Sequence, residues 1–202
     1  ARAKALLQSG DVQRVLGWQT GEFVYDVTPA AFETAEELDA KFVYNDFCGS
    51  NLSKYLIKES RKEGRVLVFL KPCDTYSFNQ LIKEHRIVRE NIYVIGVPCA
   101  GKTDGETLKA LGLKGILDVK DAGDSFTVET LYGEKAVSKQ EALPERCRSC
   151  KSHKHMVYDE LLGEEGEVLD SHRFDMVEKL ESMSADERFA FWQGELSRCI
   201  RC

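Results

Sequence analysis

Continuous apolar runs in the middle of the chain give the clearest structural signal. Residues 65–70 (RVLVFL) and 91–97 (NIYVIGV) are short, rich in β-branched residues and almost free of charge. Such runs are typical of strands that are buried on both faces of a parallel sheet. Between them, residues 75–85 carry apolar side chains at helical spacing. A strand, a helix and a strand over about 30 residues predict a βαβ unit around residues 65–99.

Weaker patterns predict the remaining elements. Thr34 followed three residues later by Glu37 forms a capping box, which predicts a helix over residues 35–42. Alternating apolar positions predict a strand over residues 21–27. Further helices are predicted at 1–7, 51–61, 108–111, 174–183 and 185–196, and further strands at 116–119 and 126–131.

The order of these elements predicts an α/β fold. We expect a mostly parallel sheet with flanking helices, followed by a small helical extension at the C-terminal end. Gly163 and Gly166 mark the best candidate linker. The predicted organisation is therefore an α/β domain at 1–165 and a helical extension at 166–202.

Charge and hydropathy exclude some classes of function. The chain of 202 residues has 28 Lys and Arg against 34 Asp and Glu, which gives a net charge of −6. A nucleic-acid-binding surface needs a basic stripe, so we expect no nucleic acid partner. No apolar run approaches the roughly 20 residues of a membrane span, and no secretory signal is visible. We therefore expect a cytoplasmic protein without a membrane span.

Seven cysteines suggest the chemistry of the protein. An odd number cannot all pair within one chain, and cysteine clusters in a reducing compartment are more often metal ligands or catalytic groups. Cys73 and Cys99 each follow a proline directly after one of the two buried strands. Because neighbouring parallel strands end at the same edge of a sheet, we expect these two sulfurs to lie side by side.

Cys147 and Cys150 supply the second half of the predicted site. A Cys-x-x-Cys pair can grip one metal centre, and basic residues surround this one. Together with Cys73 and Cys99 they predict a [4Fe-4S] cluster, whose negative charge nearby cations would stabilise. The alternative is a Cys₄ zinc site in a scaffold or interaction module that has no redox role.

Cys199 and Cys202 form a second Cys-x-x-Cys pair. This spacing also begins the ligand run of bacterial ferredoxins. We expect the sequence to be truncated just inside a ferredoxin-like segment, which would hold further [4Fe-4S] clusters. The alternative is that these two cysteines act as metal ligands jointly with other groups.

Several short motifs resemble one family. The motifs are DFCGSN (46–51), KPCDT (71–75), CAG (99–101), RCRSC (146–150) and ELSRCIRC (195–202). Over about residues 20–202 the chain resembles the beta-subunit family of coenzyme F-420 hydrogenases and dehydrogenases, in the branch that continues into a ferredoxin-type dicluster domain. The resemblance implies an electron-transfer subunit of a hydrogenase, formate dehydrogenase or heterodisulfide-reductase system. It implies one [4Fe-4S] cluster on Cys73, Cys99, Cys147 and Cys150, and commonly a flavin. The implied partners are other subunits of a redox complex and ferredoxin.

Candidate flavin contacts are less specific. Ser50 and Asn51 open a predicted helix, where backbone N–H groups could hold the phosphate of FAD or FMN. The alternative is that either residue simply caps the helix. Lys71 could offset the charge of a phosphate or a cluster, but lysines at strand ends are usually solvated. Residues 96–103 (GVPCAGKT) also match the G-x-x-x-x-G-K-[ST] pattern of a phosphate-binding loop. The proline and the cysteine within them argue against that function.

Overall fold

The computed structural model describes residues 1–167 and 173–200. Contacts divide the chain into two compact units, Ala1–Leu169 and Asp170–Cys202. Among the described residues, no helix has both the length and the apolar character that a membrane crossing requires.

The regular elements alternate along most of the chain. The strands are β1 (Arg14–Thr20), β2 (Val27–Phe32), β3 (Val66–Leu70), β4 (Ile92–Gly96), β5 (Ile116–Asp121), β6 (Ser125–Thr130), β7 (Gly133–Ser138) and β8 (Glu160–Leu161). The helices are α1 (Arg2–Ser9), α2 (Ala35–Lys41), α3 (Leu56–Glu59), α4 (Pro72–Lys83), α5 (Gly105–Ala110), α6 (Glu145–Arg148), α7 (Asp175–Ser182) and α8 (Ala185–Leu196). Short 3-10 turns precede α3 and β4.

The main sheet has the strand order β2-β1-β3-β4-β8. β2 pairs with β1 antiparallel, whereas the pairs from β1 through β3 and β4 to β8 are parallel. The helix α4 connects β3 to β4, so the predicted βαβ unit is present. The prediction of an α/β fold with a mostly parallel sheet is confirmed.

The core of the first unit forms around β3. All five residues of β3 are buried, and because side chains alternate across a strand, both faces of the sheet are covered there. Phe78 of α4 contributes a fully buried ring. On β1, a Cβ added to Gly17 would lie 2.7 Å from the ring of Phe42. Glycine at this position therefore lets an aromatic ring pack directly against the strand.

A second, antiparallel sheet of order β5-β6-β7 has a small core of its own. Its buried residues are Phe47, Leu108, Leu113, Val119, Phe126, Val128 and Ala142. Phe47 belongs to the loop between α2 and α3, so this loop is packed rather than free.

The second unit contains α7 and α8, which lie where two helices are predicted. Ser184 caps α8, and its hydroxyl accepts from the backbone N–H of Glu187 at 3.3 Å. In return, the Glu187 carboxylate accepts from the backbone N–H of Ser184 at 2.9 Å. The helices begin and end within one residue of the predicted ranges.

The strand predicted at residues 21–27 is wrong. Gly21 donates its N–H to the carbonyl of Asp26 at 2.6 Å, so this segment is a tight turn, and β2 begins only at Val27. A Cβ at position 21 would lie 2.0 Å from the Asp26 carboxylate, so the Gly21 backbone lies too close to the Asp26 side chain, in its present position, for any other residue. The strands β1, β7 and β8 were not predicted, and the helix predicted at 51–61 is reduced to a 3-10 turn and α3.

Replacing Phe78 by alanine should test the central role of the βαβ core. The substitution removes a fully buried ring, so the free energy of unfolding should fall by about 3–5 kcal/mol. Tyr132→Ala is the control, because Tyr132 is 81% exposed and should contribute little. Urea unfolding of both variants measures the difference, and equal stability of the two variants would contradict the assignment of the core.

Candidate metal centre

Four cysteines line a single pocket of about 280 Å³. Cys73 lies in the first turn of α4, and Cys99 lies in the loop after β4. Cys147 belongs to α6, and Cys150 follows that helix. The structure thus brings together the four residues that the sequence predicts as ligands of one centre, and their ligation itself stays a prediction.

The described cysteines are all free thiols. Within residues 1–167 and 173–200, no group of three or more His, Cys, Asp or Glu side chains is arranged to hold a metal ion. The four thiols belong to residues that line the same pocket.

Local contacts at the start of α4 fix the position of Cys73. Pro72 occupies the first helical position, where its fixed φ is favourable. The carboxylate of Asp74 accepts from the backbone N–H of Lys71 at 3.3 Å. The buried hydroxyl of Thr75 donates to the carbonyl of Pro72 at 2.6 Å. These bonds hold the first turn, so the backbone that carries the Cys73 sulfur is fixed.

A glycine turn shapes the backbone after Cys99. Gly101 has a φ of +111°, and a Cβ there would lie 2.5 Å from a methyl group of Leu143. The N–H of Ser152 bonds to the Cys150 sulfur at 3.3 Å. Such N–H···S bonds stabilise thiolates, and in iron-sulfur sites they help to set the potential.

A buried ion pair lies next to Cys73. Lys71 Nζ and the Asp74 carboxylate are 2.8 Å apart, with only 2% and 3% of the two side chains exposed. The ammonium group also donates to the carbonyl of Ser50 at 3.0 Å and lies 4.6 Å from the centre of the Trp18 ring. The buried ammonium group of Lys71 is tolerated because it has a partner for each of its three N–H bonds: the Asp74 carboxylate, the Ser50 carbonyl and the Trp18 ring.

Burial favours the protonated form of two of the pocket thiols, Cys73 and Cys99. Burial raises the pKa of the Cys73 thiol to about 12, and the neighbouring Asp74 carboxylate acts in the same direction. Cys73 has exposed surface, but surrounding protein atoms still remove much of the water from its thiol. Burial also raises the pKa of Cys99, against the effects of the Gly101 N–H and Lys102. A metal centre must therefore displace these protons when it binds.

Basic residues also line the pocket. Lys102, Arg146 and His153 are among its lining residues. Arg146 is already paired with Asp104 at 2.7 Å, and a ring nitrogen of His153 lies 2.9 Å from the Cys150 carbonyl. Positive groups at this position would favour an anionic cluster or phosphate.

The three predicted cofactor contacts occupy different positions. Asn51 and Lys71 line the pocket. Ser50 contributes its backbone carbonyl, which accepts from Lys71 and, at 3.3 Å, from the indole N–H of Trp18. The Asn51 side chain accepts from the N–H of Ser53 at 2.9 Å, and Leu52, not Ser50 or Asn51, is the cap of the 3-10 turn that follows. Binding of a cofactor by these residues stays a prediction.

Lys102 has a role in the structure that its motif did not reveal. It is buried, donates to the carbonyl of Asn45 at 3.0 Å and lies 4.2 Å from the centre of the Tyr44 ring. Burial lowers its pKa. The next helix begins at Gly105 with Asp104 as its cap, so the backbone around Lys102 does not enter a helix as a phosphate loop does.

The other cysteines are Cys48 in the first unit, and Cys199 and Cys202 near the C-terminal end of the sequence. Cys48 is fully buried, and its sulfur accepts from the N–H of Asn45 at 3.3 Å, which suits a packing role. Cys199 is exposed beyond the end of α8. Its predicted partner Cys202 lies outside the described residues.

The fold and the four-cysteine pocket define an α/β protein with a candidate sulfur-ligated centre. No family model matches the chain, but curated proteins with similar sequences do. The chain is 32% identical to the F420-dependent formate dehydrogenase 1 subunit beta of Methanococcus maripaludis, over 52% of this chain and 27% of that protein. It is 31% identical to the F420-dependent formate dehydrogenase subunit beta of Methanocaldococcus jannaschii, over 73% of this chain and 42% of that protein.

A solved structure shares the fold. A chain in the xenon-derivatised F420-reducing [NiFe] hydrogenase complex of Methanosarcina barkeri superposes with a TM-score of 0.56 and 15% identity, over 74% of this chain and 57% of that one. This chain belongs to the beta-subunit family of coenzyme F420 hydrogenases and dehydrogenases. The matched regions span less than half the length of either curated relative.

Replacing Lys71 by methionine should strongly destabilise the first unit. The change leaves the Asp74 carboxylate buried without its cation, so the free energy of unfolding should fall by about 3–5 kcal/mol. Lys109→Met is the matched control, because Lys109 also pairs with a carboxylate three residues away at 2.8 Å, but on the surface. Urea unfolding should show little change in the control. A similar, small effect of both substitutions would mean that the buried pair is not structurally important.

The thiol of Cys73 should react slowly in metal-free protein. Only the thiolate is nucleophilic, and with a pKa of about 12 almost all of the group is protonated at neutral pH. Alkylation by iodoacetamide, followed residue by residue with mass spectrometry, should therefore still accelerate above about pH 9, beyond the ordinary thiol range near 8.5. Urea-unfolded protein is the control and should react at the ordinary rate. Rapid labelling of folded protein at about pH 8 would contradict the raised pKa.

Proposed function

We propose that this chain is the electron-transfer part of a multi-subunit oxidoreductase of the hydrogenase, formate dehydrogenase or heterodisulfide-reductase type. In this proposal Cys73, Cys99, Cys147 and Cys150 hold a [4Fe-4S] cluster. The observation that carries the proposal is that all four line one pocket. The names of the curated relatives support it, because both are subunits of formate dehydrogenases.

The residues around the pocket fit an iron-sulfur centre. Its volume of about 280 Å³ leaves room for a group of several atoms. The Ser152 N–H that bonds to the Cys150 sulfur, together with Lys102 and Arg146, favours a negatively charged centre. When bound, such a cluster supplies one-electron redox chemistry. The protein's part is to position the four sulfurs and to set their electrostatic surroundings.

A flavin, FAD or FMN, is the second cofactor of the proposal. A neighbouring pocket of about 360 Å³ shares Lys102 with the cysteine pocket and has Tyr44, Phe47 and Phe126 in its lining. Aromatic rings beside a cation suit a planar ring system with an anionic phosphate. Such a flavin would exchange electrons one at a time with a cluster and in pairs with a diffusible carrier.

Further clusters and partners complete the proposal. Cys199 lies exposed near the end of the described residues, where it and Cys202 could contribute to another cluster. Other subunits of the complex, or ferredoxin, would deliver or remove electrons. The described cysteines are free, which supports a reducing compartment such as the cytoplasm.

The alternative is a zinc-stabilised Cys₄ scaffold without a redox role. Zinc holds each sulfur at about 2.3 Å, so its four ligands must converge closely around a single ion. The volume of the pocket that the four cysteines line, about 280 Å³, favours the larger cluster. Protein purified without oxygen separates the two: iron with equal amounts of sulfide supports the cluster, and stoichiometric zinc without iron supports the scaffold.

Single serine substitutions should identify the ligands. Cys73→Ser and Cys150→Ser should each lose most of the iron and sulfide, because three thiolates hold such a cluster poorly. Iron, sulfide and flavin are quantified after anaerobic purification. Cys48→Ser is the matched control, since Cys48 is buried among packing contacts, and it should keep its iron. Full iron retention in Cys73→Ser would show that the ligand assignment is wrong.

A further inference from the structure

His155 lies where the three segments that carry the pocket cysteines meet. Its side chain is completely buried. It contacts the end of β3, packs on the end of β4, and belongs to the segment that follows Cys150. We propose that His155 is a positioning residue that, together with Glu165, holds the Cys147–Cys150 segment against the two strand ends that carry Cys73 and Cys99. The role is stated for the cluster of the proposed function and rests on it.

The first contact is made to a single carbonyl group. His155 Nε2 lies 3.0 Å from the carbonyl oxygen of Leu70, the last residue of β3. The same oxygen accepts from the N–H of Val97 at 2.9 Å. Leu70 is three positions before Cys73, and Val97 is two positions before Cys99. The Leu70 oxygen therefore connects three parts of the chain: the backbone before Cys73, the backbone before Cys99, and the His155 side chain after the Cys-x-x-Cys pair.

The second contact locks the ring in place. One carboxylate oxygen of Glu165 accepts from the backbone N–H of His155 at 2.7 Å and lies 3.2 Å from Nδ1 of the same residue. These bonds also hold the pKa of Glu165 below its usual value, with the backbone bond as the largest cause. Both ring nitrogens face oxygen acceptors, so the ring is positioned from both sides.

The shape of β4 provides the space for the ring. A Cβ at Gly96 would lie 3.1 Å from Cδ2 of His155, which is tighter than an ordinary contact. Next to the histidine, the N–H of Met156 donates to the hydroxyl of Thr75 in α4 at 3.1 Å. The segment after Cys150 is thus attached to β3, to β4 and to the helix that carries Cys73.

This attachment matters because the two halves of the pocket are far apart in sequence. The bond from His155 to Leu70 spans 85 residues. Without an anchor, the chain carrying Cys147 and Cys150 would sample many positions, and a four-sulfur site would have to order it on binding. Outer residues that orient metal ligands typically change metal affinity by about 10–100-fold when replaced.

The test uses two pairs of variants. His155→Ala removes both ring bonds, and His155→Gln keeps a side-chain amide that can donate to Leu70. Glu165→Ala removes the carboxylate, and Glu164→Ala is its matched control, because the adjacent Glu164 is exposed. Each full-length variant is purified anaerobically and compared with the unmodified protein.

Two readouts are measured. In metal-free protein, dibromobimane bridges neighbouring thiols, and peptide mass spectrometry quantifies the bridge between Cys73 and Cys150. We expect His155→Ala and Glu165→Ala to lower its yield several-fold, with His155→Gln intermediate and Glu164→Ala unchanged. In iron-loaded protein, the rate of iron loss to a chelator should rise by about tenfold in His155→Ala and Glu165→Ala, rise less in His155→Gln, and stay unchanged in Glu164→Ala. The electron paramagnetic resonance spectrum of the reduced form should change in His155→Ala and Glu165→Ala.

The outcomes separate this proposal from the proposed function. If the unmodified protein binds no iron, the cluster assignment is wrong, and the thiol bridge still tests the anchor in metal-free protein. If the unmodified protein binds iron but His155→Ala matches it in both bridge yield and iron loss, the anchor is wrong. Should His155→Ala fail to fold by circular dichroism, the comparison of Glu165→Ala with Glu164→Ala decides, and equal behaviour of that pair would overturn the proposal.

Discussion

The parallel pairing of β3 with β4 is the constraint on which the rest of the molecule depends. Leu70 lies opposite Gly96 in this register, so the two strands end side by side and Cys73 and Cys99 follow from the same sheet edge. A shift of one residue would turn the side chains of β3 to opposite faces, where they would no longer fit their packing partners. The core and the pocket therefore require the same register.

Around that edge, the protein surrounds its thiols with fixed polar groups rather than with water. Burial alone makes an empty thiolate unfavourable, as the raised pKa of Cys73 shows. For Cys99, the N–H of Gly101 acts on the pKa in the opposite direction. The proposed metal centre would remove the cost of this buried negative charge.

The sequence predicted the parts of this structure that depend on local patterns. The βαβ unit and the shared pocket of four cysteines could be expected from two apolar runs, two Pro-Cys pairs and one Cys-x-x-Cys spacing. β1 was missed because it contains Gly17 and polar residues, and its burial depends on Phe42 packing over the glycine. The roles of Lys102 and His155 depend on contacts across 57 and 85 residues, which no local pattern encodes.

The order of the pocket residues along the chain also affects biosynthesis. During translation, Cys73 and Cys99 leave the ribosome well before Cys147 and Cys150, and His155, which bonds to Leu70, follows them. Until then the early thiols face an unfinished cavity. The pocket that the four cysteines line can therefore form only after the chain has been synthesised past residue 155.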